Sequence, residues 1–280
     1  FIGKKMREFF IPEVNCKWGS FDYSQQEPRI VVHYALKIGL DGTENLKEEF
    51  NKESADFHQI VADMANIPRK QAKTINLGLF YGMGKIKLQK ELNLDQAKAN
   101  KLFQTYHAQV PFVKQLSQEL TSFASENGLL FTLEDRFCRF DKWETRDKEW
   151  DSKANRFTQV KLHETKEDAM DAYKLEQMEK YEKYIYPECE HFEKHYARAF
   201  TYKALNRLIQ GSAADMTKKA MVLLHEKGII PHIQIHDELC VSIKDHETRT
   251  TVQKIMEQAV PLLVDNKVDY ESGPNWGTIK

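Results

Sequence analysis

The sequence predicts an α+β fold, an antiparallel sheet with helices, on three observations. β-Rich runs stand near both ends, at 14–23 and 229–243. Helical periodicity dominates the stretch between, and the two kinds of element mix without the regular βαβ alternation of a parallel sheet. With 280 residues, 41% hydrophobic, and only 12 Gly and 8 Pro, the chain can bury one large or two modest cores, which excludes collagen-like and low-complexity classes. No apolar run approaches the roughly 18 residues of a spanning helix, and Phe1-Ile2-Gly3-Lys4-Lys5 does not open a signal peptide, so an intracellular protein without a membrane partner is expected. Cys16, Cys138, Cys189 and Cys240 form no C-x-x-C pair and read as scattered reduced thiols.

In order along the chain, the run at 14–23 reads as a strand ending in a polar turn. Ser24-Gln25-Gln26-Glu27 matches a capping box, with Ser24 as N-cap and Glu27 at the third helical position, opening a helix to about residue 36. Pro28 sits in that first turn, where its missing N–H costs little. Residues 44–65 are helical in pattern, Pro68 precedes a helix at 69–80, and helices are expected at 95–107 and 111–127. Asn127-Gly128 marks a turn before a short strand at 129–133. No glycine occurs from 129 to 210; charged helical pattern fills 164–200 with Pro187 as a break, and an apolar-striped helix covers 199–226. The run 229–243 reads as two strands joined at His236-Asp237-Glu238, followed by a helix at 247–264.

Net charge is −1, from 41 Lys and Arg against 42 Asp and Glu, yet its distribution is uneven. Residues 66–105 carry eight cations against Glu91 and Asp95, whereas 141–195 carry 15 acids and 11 bases. The first segment suits an anionic ligand, and the second reads as a solvated surface. Asp22 ends a strand and Asp237 sits at a hairpin tip. Two carboxylates there can hold Mg2+, which prefers oxygen donors and leaves room for substrate phosphates; the alternative is two ordinary turn aspartates. Arg69, Lys73, Leu77 and Tyr81 recur every four residues and share one helix face. Two cations near a helix N-terminus suit a polyphosphate, and the apolar and aromatic residues beyond suit a sugar and a base; the alternative is a solvated basic edge. His58 alone reads as a surface or capping histidine. Cys189, His191 and His195 lack a fourth ligand and are not taken as a metal site.

Together these segments resemble the polymerase domain of family A DNA polymerases. Residues 22–29 (DYSQQEPR) are similar to that family's motif A, 69–82 (RKQAKTINLGLFYG) to motif B, 236–238 (HDE) to motif C, and 206–215 (NRLIQGSAAD) to its primer-template helix. The likeness runs from about residue 5 to 280 apart from 141–195, and the short spacing from His58 to Arg69 looks phage-like. It implies template-directed DNA synthesis, in which a deoxynucleoside triphosphate is added to a primer 3′-OH by two-metal-ion phosphoryl transfer and pyrophosphate leaves.

Residue by residue, the resemblance gives Asp22, Asp237 and the backbone carbonyl of Tyr23 to two Mg2+ ions, with Mn2+ as a substitute. It sets Glu238 near the primer terminus and Glu27 in the space a ribose 2′-OH would need. His58, Arg69 and Lys73 would grip the triphosphate, with Gln25, Leu77 and Tyr81 at the nucleotide. Arg29, Thr74, Asn206, Gln210 and His236 would serve the DNA side, Arg29 and Gln25 also supporting the site. Leu77 departs from the family's Phe or Tyr, and Gln26 and Pro28 from its Ile and Leu.

The implied domains are palm at 1–40, helical fingers at 41–128, and palm again at 129–280 with a charged insertion at about 141–195. A thumb is expected to be absent from this chain. Implied partners are primer-template DNA, dNTPs and an upstream thumb or exonuclease segment of the same or a split polymerase; the implied compartment is the cytoplasm of a bacterium or phage-infected cell. A single-subunit RNA polymerase relative shares the palm and the Arg/Lys/Tyr helix, but Glu27 and His236-Asp237-Glu238 argue against it. A non-catalytic DNA-binding or assembly module is a third alternative, opposed by the presence of both aspartates and both helix cations.

Overall fold

In the computed structural model the described residues are 2–43, 46–52, 56–80, 85–146, 150–151, 156–157, 160–181 and 192–279. The chain packs as two compact units, Phe1–Leu116 with Thr132–Arg136 and Asn206–Lys280, and Ser117–Phe131 with Phe137–Leu205.

The first unit is organised by a four-stranded antiparallel sheet in the order Val268–Gly273, Lys17–Tyr23, Glu238–Ile243, Ile233–Ile235. Alternation puts Phe21 and Tyr23 on one face with Leu239, Val241 and Ile243. The His246–Gln258 helix is tied to this face, because the buried Tyr23 hydroxyl donates to the Met256 carbonyl at 2.7 Å. The other face carries Trp18, Ser20 and Asp22 beside Ser242, Cys240 and Glu238, and there Trp18 and Cys240 form a core with Trp276. The Val268–Gly273 strand was not foreseen. Its sequence, Val-Asp-Tyr-Glu-Ser-Gly, is mostly polar and only Val268 is fully buried, as an edge strand permits.

Helices match the expected order, with two instructive differences. No capping box forms at Ser24. The Ser24 N–H donates to the Lys267 carbonyl and its own carbonyl accepts from Arg29 Nε, so this residue belongs to the end of the sheet. Gln25 turns through the left-handed region at φ 55°, and the helix runs Gln26–Lys37. The pattern at 44–65 is two helices, Leu46–Asn51 and Phe57–Ala65, because Asp56 caps the second by accepting from the His58 and Gln59 amides. The helix after Pro68 is Arg69–Phe80, as expected, and Gln96–Gln109 follows the Asp95 cap. Lys85–Glu91 is a further short helix, and the C-terminal one ends at Gln258, earlier than the pattern suggested.

The second unit corrects the expectation of a solvated charged surface at 141–195. Trp143–Thr145 is the centre of a three-stranded sheet between Leu162–His163 and Tyr196–Arg198, and the Lys166–Tyr181 helix lies beside it in sequence. Trp143, Ala169, Tyr173, Phe192 and Tyr196 form a core of their own. Strands of two or three residues, spaced by charged positions, leave too little alternation for a sequence pattern to reveal. The expected turn at Gly128 is present at φ +74°, a left-handed backbone that favours glycine, and a Cβ there would meet the movable end of the Arg198 side chain at 2.7 Å. Cys189, His191 and Pro187 lie outside the described residues.

Candidate active site

Strand register brings the first pair of expected residues together. Asp22 is the cross-strand partner of Glu238, and the Tyr23 amide donates to the Asp237 carbonyl at 3.4 Å, so the chain ends carrying Asp22 and Asp237 run side by side. Both carboxylates are half-buried. Glu238, expected near a primer terminus, is 5% exposed and accepts from the Ser20 hydroxyl and the Cys240 thiol, which fixes it against the sheet. The Tyr23 side chain points away, its pKa pushed far up by burial and then by Glu257, leaving its backbone as the only part toward Asp22.

A cavity of about 820 Å3 opens next to this strand end, within the roughly 300–1,000 Å3 usual for small-molecule sites. Gln25, Glu27, His58, Leu77, Gln210, His236 and Asp237 line it, seven of the expected residues drawn from separate parts of the chain. Gln26, Pro28, Ala213, Ala214 and Gln234 complete the lining and were not foreseen as site residues. Two of the liners hold left-handed backbone, Gln25 at φ 55° and His236 at φ 52°. For residues of this kind that conformation costs on the order of 1–2 kcal/mol, so the surrounding structure must impose it. It does so at Gln25, whose Oε1 accepts the Phe57 amide at 2.7 Å, and at His236, whose carbonyl accepts from Gln234 Nε2 at 3.1 Å. Buried Gln26 ties the two walls together by donating to the Ala213 carbonyl at 3.2 Å.

The basic helix face is partly as expected. Leu77 lines the cavity and Lys73 is exposed one turn earlier. Arg69 donates from Nε at 2.8 Å and Nη2 at 2.5 Å to the single Oδ2 of Asp56. Burial would raise the Asp56 carboxyl, but the Arg69 bonds and the two amides it caps outweigh that and hold it below the usual range. His58 is no surface histidine: it is 8% exposed, its Nδ1 bonded to Asn76 Nδ2 at 3.1 Å, and burial lowers its pKa. Tyr81 lies outside the described residues. Thr74 back-bonds to the Lys70 carbonyl, and half-buried Asn206 stands one turn before Gln210 on the Ala204–Glu226 helix.

Arg29 requires a correction. Expected on the DNA side, it is 1% exposed, and its guanidinium donates to the carbonyls of Ser24, Phe50 and Asp265. These bonds clamp the turn that carries Gln25.

As to a metal, no group of three or more His, Cys, Asp or Glu side chains converges among the described residues. Two carboxylates on neighbouring strand ends are nevertheless the hard oxygen donors that suit Mg2+, which commonly binds through one or two carboxylates and completes its shell with water and phosphate oxygens. The residues fit the ion. No described helix is long and apolar enough to cross a membrane.

A sequence-family model described as DNA polymerase family A matches residues 2–160 and 155–278, a span that includes the stretch at 141–195 set apart by the motifs. A DNA-directed DNA polymerase of Pseudomonas phage M6 is 31% identical over 313 aligned residues, covering 97% of this chain and 40% of the phage protein. DNA polymerase I of Geobacillus stearothermophilus is 30% identical, covering 98% of this chain and 27% of its own length. The chain therefore spans well under half of these relatives. The POL domain of Pol1 from M. smegmatis, solved in complex with DNA primer-template and dNTP, shares the fold at a TM-score of 0.69 and 23% identity, over 99% of this chain and 43% of that one. With the motifs in order, the sheet end beside the cavity and a family match along nearly its whole length, this chain belongs to DNA polymerase family A.

Proposed function

We propose that this chain carries the nucleotidyl-transfer centre of a DNA-templated DNA polymerase, adding deoxynucleotides to a primer 3′-OH with release of pyrophosphate. The observation that carries this is the single cavity gathering Glu27, His58, Leu77, Gln210, His236 and Asp237 next to the Asp22 strand end. Asp22, Asp237 and the Tyr23 carbonyl would hold two Mg2+ or Mn2+ ions, which when bound supply positive charge for the attacking and leaving oxygens. Lys73 and Arg69 attract the triphosphate, Arg69 exchanging its Asp56 partner for phosphate. Glu27 fills space beside the sugar. Gln210 and His236 face the cavity as polar groups suited to minor-groove acceptors, which differ little between base pairs and so serve a polymerase that copies all four. Primer-template DNA, dNTPs and an upstream thumb or exonuclease segment are the proposed partners, in bacterial or phage-infected cytoplasm.

The test is primer extension with Mg2+, with the upstream portion of a family A relative supplied where the chain needs it, comparing dNTPs with rNTPs. Template-dependent dNTP incorporation is expected, with rNTPs disfavoured. Glu27→Ala should raise the ribonucleotide share, since a lost clash of this kind is worth several kcal/mol, or about 10³-fold. Equal use of rNTPs by the native chain would favour an RNA polymerase relative, and DNA binding without incorporation would favour a binding module.

A further inference from the structure

The Arg69–Phe80 helix meets the cavity through Leu77 and turns its other face into the core, where Ala72, Ile75 and Phe80 are at most 1% exposed. Asn76 interrupts that apolar face and is itself 0% exposed. A buried amide is costly unless both its polar atoms are satisfied. Here they are: the Tyr106 hydroxyl donates to Asn76 Oδ1 at 2.5 Å, and Asn76 Nδ2 bonds His58 Nδ1 at 3.1 Å. Tyr106, 0% exposed, reaches in from the Gln96–Gln109 helix, and burial pushes its pKa far up, so it stays protonated and remains a donor. With Oδ1 taken by the phenol, the amide presents its NH2 to the imidazole. His58 Nδ1 is then an acceptor, and the ring proton of the neutral histidine sits on Nε2.

We infer that the Tyr106–Asn76–His58 chain holds the His58 ring as a neutral Nε2–H donor to a phosphate oxygen of the nucleotide, which makes Asn76 and Tyr106 positioning residues for nucleotide binding. This rests on the nucleotide site proposed above. An N–H donated to Nδ1 favours the neutral ring, and burial acts in the same direction. The charged groups about the ring are Asp56 at its own helix cap, which opposes that shift, Lys73 and Arg69, which reinforce it, and Glu27 and Asp237 across the cavity. A donor fixed in this way keeps the same charge and direction across neutral pH, whereas an unrestrained histidine would change both.

The primary measurement is long-range ¹H–¹⁵N NMR of the histidine rings in the full chain, with His58 assigned by the loss of its signals in His58→Gln. The native ring should show the pattern of Nε2–H with unprotonated Nδ1, persisting below the ordinary histidine midpoint. Asn76→Asp replaces the donor by a carboxylate and should raise the His58 pKa by at least one unit, moving the proton to Nδ1. Tyr106→Phe should weaken the restraint and populate both tautomers. Nδ1–H in the native ring, or a ring that responds to neither variant, would overturn the inference whether or not the protein polymerises DNA.

The second measurement is dNTP incorporation. Asn76→Leu should raise nucleotide KM about tenfold with kcat within about threefold. The Asn76→Asp enzyme should acquire a KM that rises with pH through its new His58 pKa, where the native KM is flat. Incorporation that is absent from all the proteins would count against the polymerase proposal alone, and the NMR result would still decide the inference. Normal KM values in both Asn76 variants would sink the positioning role.

Discussion

The sheet end at Asp22 and the unit around Trp143 use charge in opposite ways. At the sheet end, half-buried acids border an open cavity and are held by a frame of satisfied polar groups: Gln26 on Ala213, Arg29 on three carbonyls, Ser20 on Glu238. Around Trp143 the charges lie on rings. Lys166 Nζ is 5.1 Å from the Trp143 ring centroid, and the Arg198 guanidinium is 5.1 Å from the same ring. The first arrangement sets acids beside a cavity, while the second consumes charge in packing. Composition cannot distinguish them, because both segments are rich in charged residues; geometry does.

Substitutions in the two regions should produce a double dissociation. Asp237→Ala should reduce nucleotide incorporation by at least about 10³-fold, a loss of roughly 4 kcal/mol in the transition state, while leaving melting and primer-template affinity near native. Trp143→Ala should do the reverse. Emptying so large a buried site costs about 3–5 kcal/mol of stability in its own unit, and incorporation at a temperature where the variant is folded should stay within about tenfold. Both are checked by parallel extension assays and calorimetry. Activity in Asp237→Ala within tenfold of native would break the assignment of the sheet end, and loss of activity in folded Trp143→Ala would show that the second unit supports the chemistry.

A pH experiment separates the frame of the first unit from the second. His33 is 8% exposed; its Nδ1 accepts the Leu263 amide at 3.0 Å, and its Nε2 is buried with no hydrogen-bond partner among the described residues. Burial, aided by Lys37, lowers its pKa from 6.5 to about 4. A depressed histidine pKa means that the unfolded chain binds the proton more readily. The stability it contributes is therefore whole above pH 6.5 and is lost as pH falls toward 4, amounting to about 3 kcal/mol by linkage. His33→Asn, which keeps an acceptor for Leu263, should lose that much less between pH 7 and 4 in urea titrations. Parallel losses in the two proteins would show that His33 does not set the acid limit.

How much of this was legible follows the same division. Leu77 at the cavity was readable because a four-residue recurrence is a property of sequence alone, and the His236-Asp237 turn because two apolar runs flank it. Asn76 was not, since one amide in an apolar face gives no signal until its partners, 18 and 30 residues away, are known. The Ser24 capping box failed for a related reason: the residue types were right, but the sheet had already engaged the Ser24 backbone through Lys267 and Arg29. The segment 141–195 was misjudged most. Its core is drawn from unlike short elements, Trp143 and Tyr196 on three-residue strands and Tyr173 and Phe192 on helices, and the intervening Lys and Glu dominate any average over the window.

The smallest expected effect tests the comparison most directly, because it asks whether a charge in the second unit is packing or decoration. Lys166 is 43% exposed, lies over both Trp143 and Phe192, and stands 3.6 Å from Glu193, itself 69% exposed. The exposed ion pair should contribute almost nothing, since solvent screens it and two long side chains must be held in one geometry. The ring contact should contribute about 0.5–1 kcal/mol, because the ammonium meets the negative face of a buried aromatic ring that is otherwise shielded from water. Lys166→Met keeps the apolar stem and deletes the charge, so it isolates that contact; Glu193→Gln isolates the ion pair. Urea titrations monitored by tryptophan fluorescence should find Lys166→Met destabilised by that amount, with little salt dependence, and Glu193→Gln within about 0.3 kcal/mol of native. If instead both substitutions are neutral, the cations around Trp143 are solvated after all, and the contrast between charge set beside a cavity and charge consumed in packing does not hold for this unit.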